Sequence, residues 1–419
     1  MNSDAGWMLT SASLVLLMTP ALALFYGGMA GRRQALNMMM MSFGTLGVVT
    51  VVYILWGWSM SYGDRSIAGL VADPTQYFGL RDMLIDEPGP NGYPLGIDVA
   101  FQLTFAVIST ALISGALAGR VKFTTWLVFS ALWATFAYFP LAHMVWGGGL
   151  LSHSAEGLAA MMFGTTDGEA TVAPIDFAGG TVVHISAGTA ALVLALMVGR
   201  RGEVASRPHN LPLVMLGAAL LWFGWFGFNG GSAFAADGLA SLAWLNTTAA
   251  AAAAMLGWVL VERIRDTRPT SLGAASGVVA GLVTITPAAG ALTPVSALLL
   301  GFIGGILACL GVGLKYRFGY DDSLDVVGVH LVAGLWGTIG LAFFAQGVDH
   351  LRLLVVQIVI AVVAMVFSAV VTFVIGLALK ATMGWRINPE DEFGGIDLAE
   401  HRESAYDDSP APSALGSAS

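Results

Sequence analysis

The chain is a succession of apolar runs, each of roughly 18 to 25 residues, the length a helix needs to cross about 30 Å of hydrocarbon. Lipid offers no hydrogen-bond partner to backbone N–H and C=O groups, so runs of this kind close their bonds internally as helices. The scarcity of charge agrees. Asp, Glu, Lys and Arg make up 11% of the residues and hydrophobic types 56%, whereas a soluble domain carries about 25% charge. The 53 glycines suit helices that approach closely within lipid. Cys309 is the single cysteine and forms no intrachain disulfide. The net charge of −9 sits mostly in loops and tail and points to no nucleic-acid partner. No basic segment precedes the first run, so a cleaved signal peptide is not expected.

The runs predict an all-α membrane protein of eleven transmembrane helices, at roughly 7–31, 36–61, 98–118, 123–145, 177–199, 211–234, 240–262, 271–289, 294–315, 325–346 and 353–380. With the N-terminus placed outside, 15 of the 18 basic residues fall in inside segments, and only Arg65, Arg81 and Arg352 remain outside. The positive-inside rule then gives N-out, C-in, in a cell membrane, and requires an odd helix count. The expected division is a membrane domain over 1–382 and a cytoplasmic tail over 383–419, disordered from about residue 409. Phe393, Ile396, Leu398 and Tyr406 give that tail apolar groups with which to dock. The outside loop 146–176 carries Glu156, Asp167, Glu169 and Asp176 and no Lys or Arg. Such a loop would concentrate cations, although topology alone also accounts for the missing basic residues.

Two helices share a pattern. His184-Ile-Ser-Ala-Gly188 and His330-Leu-Val-Ala-Gly334 both read H-x-x-A-G, and both follow an acidic residue, Asp176 in one and Asp325 in the other. Phe25-Tyr-Gly-Gly28 is echoed by Phe228-Asn-Gly-Gly231. A repeat of five helices results, one copy over about 7–199 and the second over about 211–346, with helix eleven at 353–380. Five being odd, the copies cross in opposite senses, and an inverted repeat places its binding site at the interface between copies.

His184 and His330 are therefore the leading candidates for chemistry. Each lies midway along an apolar helix, where ionisable groups face a pathway or a partner. Two imidazoles alone make no zinc site, which wants three or four ligands, so no metal is expected. His143, His153, His209, His350 and His401 read as surface or interfacial residues. Asp176 opens helix 5, where a carboxylate satisfies free N–H groups and meets the positive end of the helix dipole; Asp325 is expected to do the same for helix 10. Phe101 and Phe105 share a face of helix 3, and Trp225, Phe228 and Ser232 share a face of helix 6. With Trp146 at the outer boundary they compose a cage whose ring faces attract a bare cation by about 0.5–2 kcal/mol.

Taken in order, Phe25-Tyr-Gly-Gly28, Ala100-Phe-Gln102, His143-Met-Val-Trp-Gly-Gly-Gly149, Asp176-Phe-Ala-Gly-Gly-Thr-Val-Val-His184, Pro208-His-Asn-Leu-Pro212, Gly224-Trp-Phe-Gly-Phe-Asn229, Thr286-Pro287 and Asp325-Val-Val-Gly-Val-His330 resemble the ammonium transporter (Amt/Mep/Rh) family, its Amt branch in particular. The resemblance implies the ammonium transporter fold and a homotrimer with one pore per subunit. It also implies an outer recruitment site at Trp146, Ser232 and Phe105, a gate of Phe105 and Phe228, twin pore histidines at His184 and His330, and Asp176 in support. Ammonium, and methylammonium with it, would be the substrate; no cofactor is implied, and no enzymatic activity. Tail segments Gly395-Ile-Asp397 and Glu403-Ser-Ala-Tyr406 resemble the regulated tail of the family, to whose inner mouth a PII-type signalling protein binds. The chain departs from the family in an insert around 152–175 and in its Ser/Pro/Ala-rich end.

Potassium matches ammonium in size, but only ammonium can shed a proton and cross an apolar pore as a neutral molecule, since a bare charge there is expensive. The competing readings are a neutral ammonia gas channel of the Rh kind and a sensor that signals ammonium through its tail. An intramembrane histidine enzyme would need a fuller acid–base set.

Overall fold

A computed structural model of the chain describes residues 3–81, 89–202 and 207–406. Among these described residues ten helices are long and apolar enough to cross a membrane, and an eleventh apolar helix is shorter. In chain order they are α1 (Ser3–Met29), α2 (Ala35–Tyr62), α3 (Leu95–Leu117), α4 (Phe123–Val145), α5 (Gly180–Val198), α6 (Leu211–Gly231), α7 (Gly238–Arg265), α8 (Ser271–Ala288), α9 (Pro294–Phe318), α10 (Val327–Phe343) and α11 (His350–Thr382). Two short tail helices follow, α12 (Pro389–Gly394) and α13 (Ile396–His401). The tail beyond Tyr406, including the segment expected to be disordered, lies outside the described residues.

Small residues decide which helices cross. On α6, a Cβ at Gly217 would lie 2.5 Å from the Phe25 backbone nitrogen, and one at Gly227 would lie 2.7 Å from the Ser11 carbonyl. The first helix of each repeat therefore packs backbone to backbone against the other. Between α7 and α9 the same logic uses Gly301 and Gly305, whose absent side chains leave room for the Ala250 and Ala254 carbonyls. This explains the run Ala249–Ala254, since small side chains permit close approach where lipid supplies no hydrophobic drive.

The third close crossing, between α5 and α10, sits at the pseudo-symmetric centre and is reciprocal. A Cβ on Gly188 would meet Leu331, the residue after His330, while one on Gly334 would lie 3.1 Å from the Cβ of His184. Each H-x-x-A-G motif thus sets its glycine against the other motif, Gly334 at His184 and Gly188 at Leu331. Both histidines also lie in wide π-helical turns, Gly180–Ile185 and Val327–Val332, a distortion that recurs at functional sites.

Helix α11 straps the two halves together. Its buried Gln357 donates from Nε2 to the carbonyls of Ile175 and Thr338, at 2.8 and 2.9 Å, and accepts from the Ile175 nitrogen at 3.0 Å. The two long loops meet at one end of the bundle, where Leu150 N donates to Gly69 O at 2.8 Å. Each loop carries a two-residue hairpin, β1–β2 (Ser66–Ile67 with Val71–Ala72) and β3–β4 (Thr165–Thr166 with Glu169–Ala170).

The tail packs against the opposite end, through polar groups more than apolar ones. Asp397 accepts from the backbone nitrogens of Leu36 and Asn37 at the start of α2, and Glu400 from that of Phe123 at the start of α4. His209 accepts from or donates to the Tyr406 hydroxyl at 2.9 Å. Of the four apolar groups expected to dock, Ile396 is buried, whereas Phe393 and Leu398 are exposed.

Candidate functional site

The site begins where α5 starts. Gly179 takes a backbone φ of 117°, a region that favours glycine, and turns the chain so that four successive N–H groups converge on one carboxylate. Asp176 accepts from the nitrogens of Gly179, Gly180, Thr181 and Val182 and from the Thr181 hydroxyl. Burial pushes the Asp176 carboxyl above its ordinary value, and the bonds from Thr181, Gly180 and Val182 pull it back down.

At the other end, α10 is capped in the same way by a residue the sequence reading passed over. Asp322 accepts from the nitrogens of Val326 and Val327 at 3.1 and 2.7 Å. It stands eight residues ahead of His330, the spacing of Asp176 to His184. Asp325, assigned that place from the sequence, instead has a φ of 65° and pairs with Lys315. The signal that identifies Asp322 is the eight-residue register; proximity to the histidine misdirected the choice. Burial and the neighbouring Asp325 charge push the Asp322 carboxyl up to about 6, against the pull of Lys315 and the two N–H groups.

From these two starts the helices deliver their imidazoles to one point. The rings of His184 and His330 lie 5.4 Å apart at 26°, with the two Nδ1 atoms 3.3 Å from each other. They are 1% and 3% exposed, so neither faces lipid. An Nδ1 to Nδ1 contact between neutral rings shares one proton. The donor ring then presents Nε2 as an acceptor and the acceptor ring presents Nε2–H as a donor. Nε2 of His184 is buried and has no partner among the described residues.

Aromatic rings continue the line. Phe228 stacks on His184 at 6.2 Å and on Phe105 at 4.1 Å, and Phe105 meets Trp146 edge-on at 6.2 Å. Trp225 lies 5.6 Å from His184, held by its Nε1–H on Thr286 Oγ1. Phe101 backs Phe105 at 4.8 Å. The Trp146 indole donates to the Asp176 carbonyl at 2.9 Å, which fixes the ring. Ser232 donates its hydroxyl to the Phe228 carbonyl at 2.8 Å, leaving its oxygen lone pairs for a donor from outside.

Three spaces follow this column. A vestibule of about 550 Å³ at the loop end is lined by Phe105, Trp146, Ser232 and Asp176. Beyond the Phe105–Phe228 stack a narrow space of about 10 Å³, near the volume of one water probe, runs between Leu22, Phe25, Ile108, Leu221 and the two histidines. A chamber of about 470 Å³ at the tail end is lined by Arg200, Arg201, Lys315, Asp321 and Asp325. Ring contacts thus join Trp146, Phe105, Phe228, His184 and His330 in succession, and Ser232 and Asp176 line the vestibule beside them. No group of three or more His, Cys, Asp or Glu capable of holding a metal occurs among the described residues.

The remaining histidines divide. His153 stays in a loop and His350 opens α11, its Nδ1 2.8 Å from the Ala342 carbonyl, but His143 is buried within α4, 2.8 Å from Ser66 Oγ and 3.2 Å from the Ser61 carbonyl, and staples the first hairpin. It is not the surface residue expected. A further missed residue is Asp98, buried in α3 and lining the vestibule. The span read from sequence began at this residue, which hid an acid inside a helix that starts earlier, at Leu95.

Residues 6–406 match the family model described as Ammonium Transporter Family. The ammonium transporter of Mycobacterium tuberculosis (strain H37Rv) is 48% identical over 97% of this chain and 90% of its own length. That of Bacillus subtilis is 44% identical over 97% and 99%. Among solved structures, a sensor Amt protein superposes with a TM-score of 0.85 at 30% identity, covering 95% of this chain and 98% of the other. Mep2 of Saccharomyces cerevisiae superposes at 0.81 and 29% identity, over 92% and 90%.

Proposed function

The chain belongs to the ammonium transporter family, and from that premise we propose that it carries ammonium across a cell membrane by taking a proton off it and passing ammonia between two histidines. The observation that carries this reading is the His184–His330 contact, 3.3 Å between Nδ1 atoms, at the floor of an apolar constriction.

Ammonium enters the vestibule as a cation, held by the faces of Trp146 and Phe105 and by the Ser232 oxygen. The stacked rings of Phe105 and Phe228 close the way below it. A charge entering the narrow apolar space would lose its hydration with little in return. Ammonium therefore gives its proton to the imidazole Nε2 acceptor, the shared Nδ1 proton shifts to the second ring, and that ring's Nε2–H proton leaves inward, one net charge crossing beside each ammonia. The neutral molecule fits a lining that offers one nitrogen acceptor and one N–H donor, which is what the shared-proton imidazole pair presents. Potassium has no proton to lose and stops at the rings. Asp176 acts by fixing the start of α5 and, through its carbonyl, the Trp146 indole.

The orientation we propose is N-terminus outside and tail cytoplasmic, following the basic residues. Homotrimer formation and a PII-type partner at the tail end belong to the same reading. Large apolar side chains such as Leu256 and Phe223, 58% and 53% exposed, are available to lipid or to neighbouring subunits.

Flux and current in proteoliposomes under an ammonium gradient test the mechanism. We expect ammonium-dependent current with none for potassium. Nitrogen flux without current would remove the electrogenic version and leave an ammonia channel. A second reading, an ammonium sensor acting through its tail, draws on the docking of Asp397 and Glu400 and on a structural neighbour named a sensor Amt protein. A protein that binds ammonium yet shows neither flux nor current would support it.

A further inference from the structure

We propose that Asp98 and Gln102 form a separate cation station in the vestibule, spanning the two helical turns ahead of the gate, for small cations bearing several N–H donors. The inference rests on the ammonium reading above and deepens it. Asp98, Gln102 and Phe105 recur at i, i+4 and i+7 along α3 and all line the vestibule, so the acid, the amide and the gate ring form one stripe. At about 1.5 Å of rise per residue, Asp98 lies roughly 10 Å outward of Phe105.

The Asp98 carboxylate is 4% exposed. Its partners are the Tyr93 hydroxyl at 2.7 Å and the Asn91 amide at 3.1 Å, both neutral donors. Among the described residues no Lys or Arg lines this cavity, and its one histidine, His153, lies by Glu169 at 3.8 Å. An ionised carboxylate so buried, with no cation beside it, carries a desolvation cost that an incoming cation offsets. The independent observation is Gln102. It is 8% exposed, it lines the same cavity, and its Oε1 is buried with no hydrogen-bond partner. Native structures leave few such acceptors empty. Two acceptors one turn apart on one helix face, one charged and one neutral, suit a cation that donates in several directions. Ammonium and methylammonium do so. The cation would then move about two turns along α3, from the carboxylate past the Gln102 amide to the ring faces and Ser232.

A plain alternative is that Asp98 only staples the 89–94 segment to α3. The two roles separate by variant. Asp98→Asn removes the charge and keeps a carbonyl for Tyr93, while Tyr93→Phe cuts the staple and keeps the charge. The readouts are intrinsic fluorescence of the purified full chain, since Trp58 and Trp146 line the cavity, and methylammonium uptake in proteoliposomes. Both are titrated against sodium chloride at constant ionic strength. Loss of one charge-assisted bond should raise the half-saturating ammonium concentration roughly tenfold in Asp98→Asn. Maximal uptake should stay within about twofold, and Tyr93→Phe should bind as wild type does. Gln102→Leu should raise half-saturation by a smaller factor. Unchanged half-saturation in Asp98→Asn would overturn the station, as would equal weakening in Tyr93→Phe. A wild-type chain that binds ammonium with Asp98-dependent affinity but shows no uptake would sink the transport reading and spare the station. Uptake whose affinity ignores Asp98 would do the reverse.

Discussion

The vestibule and the tail-end chamber lie at opposite ends of the bundle, and their electrostatics differ. At the tail end the carboxylates Asp321 and Asp325 each have a basic partner. Arg201 holds Asp321 with a 2.9 Å ion pair, Lys315 holds Asp325, and Arg200 donates to the Gly319 carbonyl. The cations at 321 outweigh burial, and the Asp321 carboxyl lies below its ordinary range. At the loop end Asp98 has only neutral donors. The repeat supplies the geometry, two capped helices that bring two rings together, and the loops supply a different chemistry at each mouth.

The comparison between halves can be broken most forcefully at the shared crossing. Gly188→Leu would drive a side chain into the Leu331 backbone and should cost about 3 kcal/mol or more, whereas Gly334→Ala, facing a side-chain carbon at 3.1 Å, should cost about 1 kcal/mol. Thermal unfolding of the purified variants measures both, and equal losses would show that the two crossings are not distinguished as described. Next come the rings. His184→Ala and His330→Ala each leave a buried partner unsatisfied, at about 1–3 kcal/mol, so uptake should fall roughly 5- to 150-fold in either. Wild-type uptake in both would remove the central assignment, while a much larger loss in one would show that the halves divide the work unevenly.

A smaller effect separates the two caps by pH. Asp322 ionises at about 6 in the folded chain against an ordinary 3.8. A carboxyl whose folded value is raised favours folding while neutral. Its contribution is therefore present at low pH, declines as pH rises from 3.8 to about 6, and is level above that. Asp322→Asn should accordingly gain stability relative to the wild type across that window, by up to roughly 2 kcal/mol. Unfolding temperatures that run parallel between pH 4 and 7 would contradict this. The smallest expected effect is at the vestibule floor. Ser232→Ala removes one acceptor worth about 0.5–1.5 kcal/mol, which should appear as a roughly two- to tenfold weaker half-saturation for uptake with little change in maximal rate.

Much of this was legible in the sequence because lipid imposes a strict rule on backbone polar groups. Apolar run length gave the helices, and the twin H-x-x-A-G motifs gave the crossing where His184 and His330 meet. What misled were cases where a local cue competed with register or burial. Asp325 lies nearer His330 than Asp322 does, but only an eight-residue lead places a carboxylate at the free N–H groups of the π-turn. His143 looked interfacial since it lies near a helix end, and a hairpin folded back over it. The tail was read by its apolar residues. Its contacts are carboxylates on the N–H groups that begin α2 and α4, which have no sequence periodicity to betray them. Asp98 was lost to a boundary drawn three residues late.

The exchange of glycines at the centre has a consequence for how such a protein comes into being. Since the notch for one imidazole is cut in the opposite five-helix segment, neither segment alone contains the finished histidine pair. The paired imidazole site arises only on docking, as a lock whose two levers are cast separately. Co-expressed fragments severed between α5 and α6 would each be inert, and their regained flux would report the joining itself.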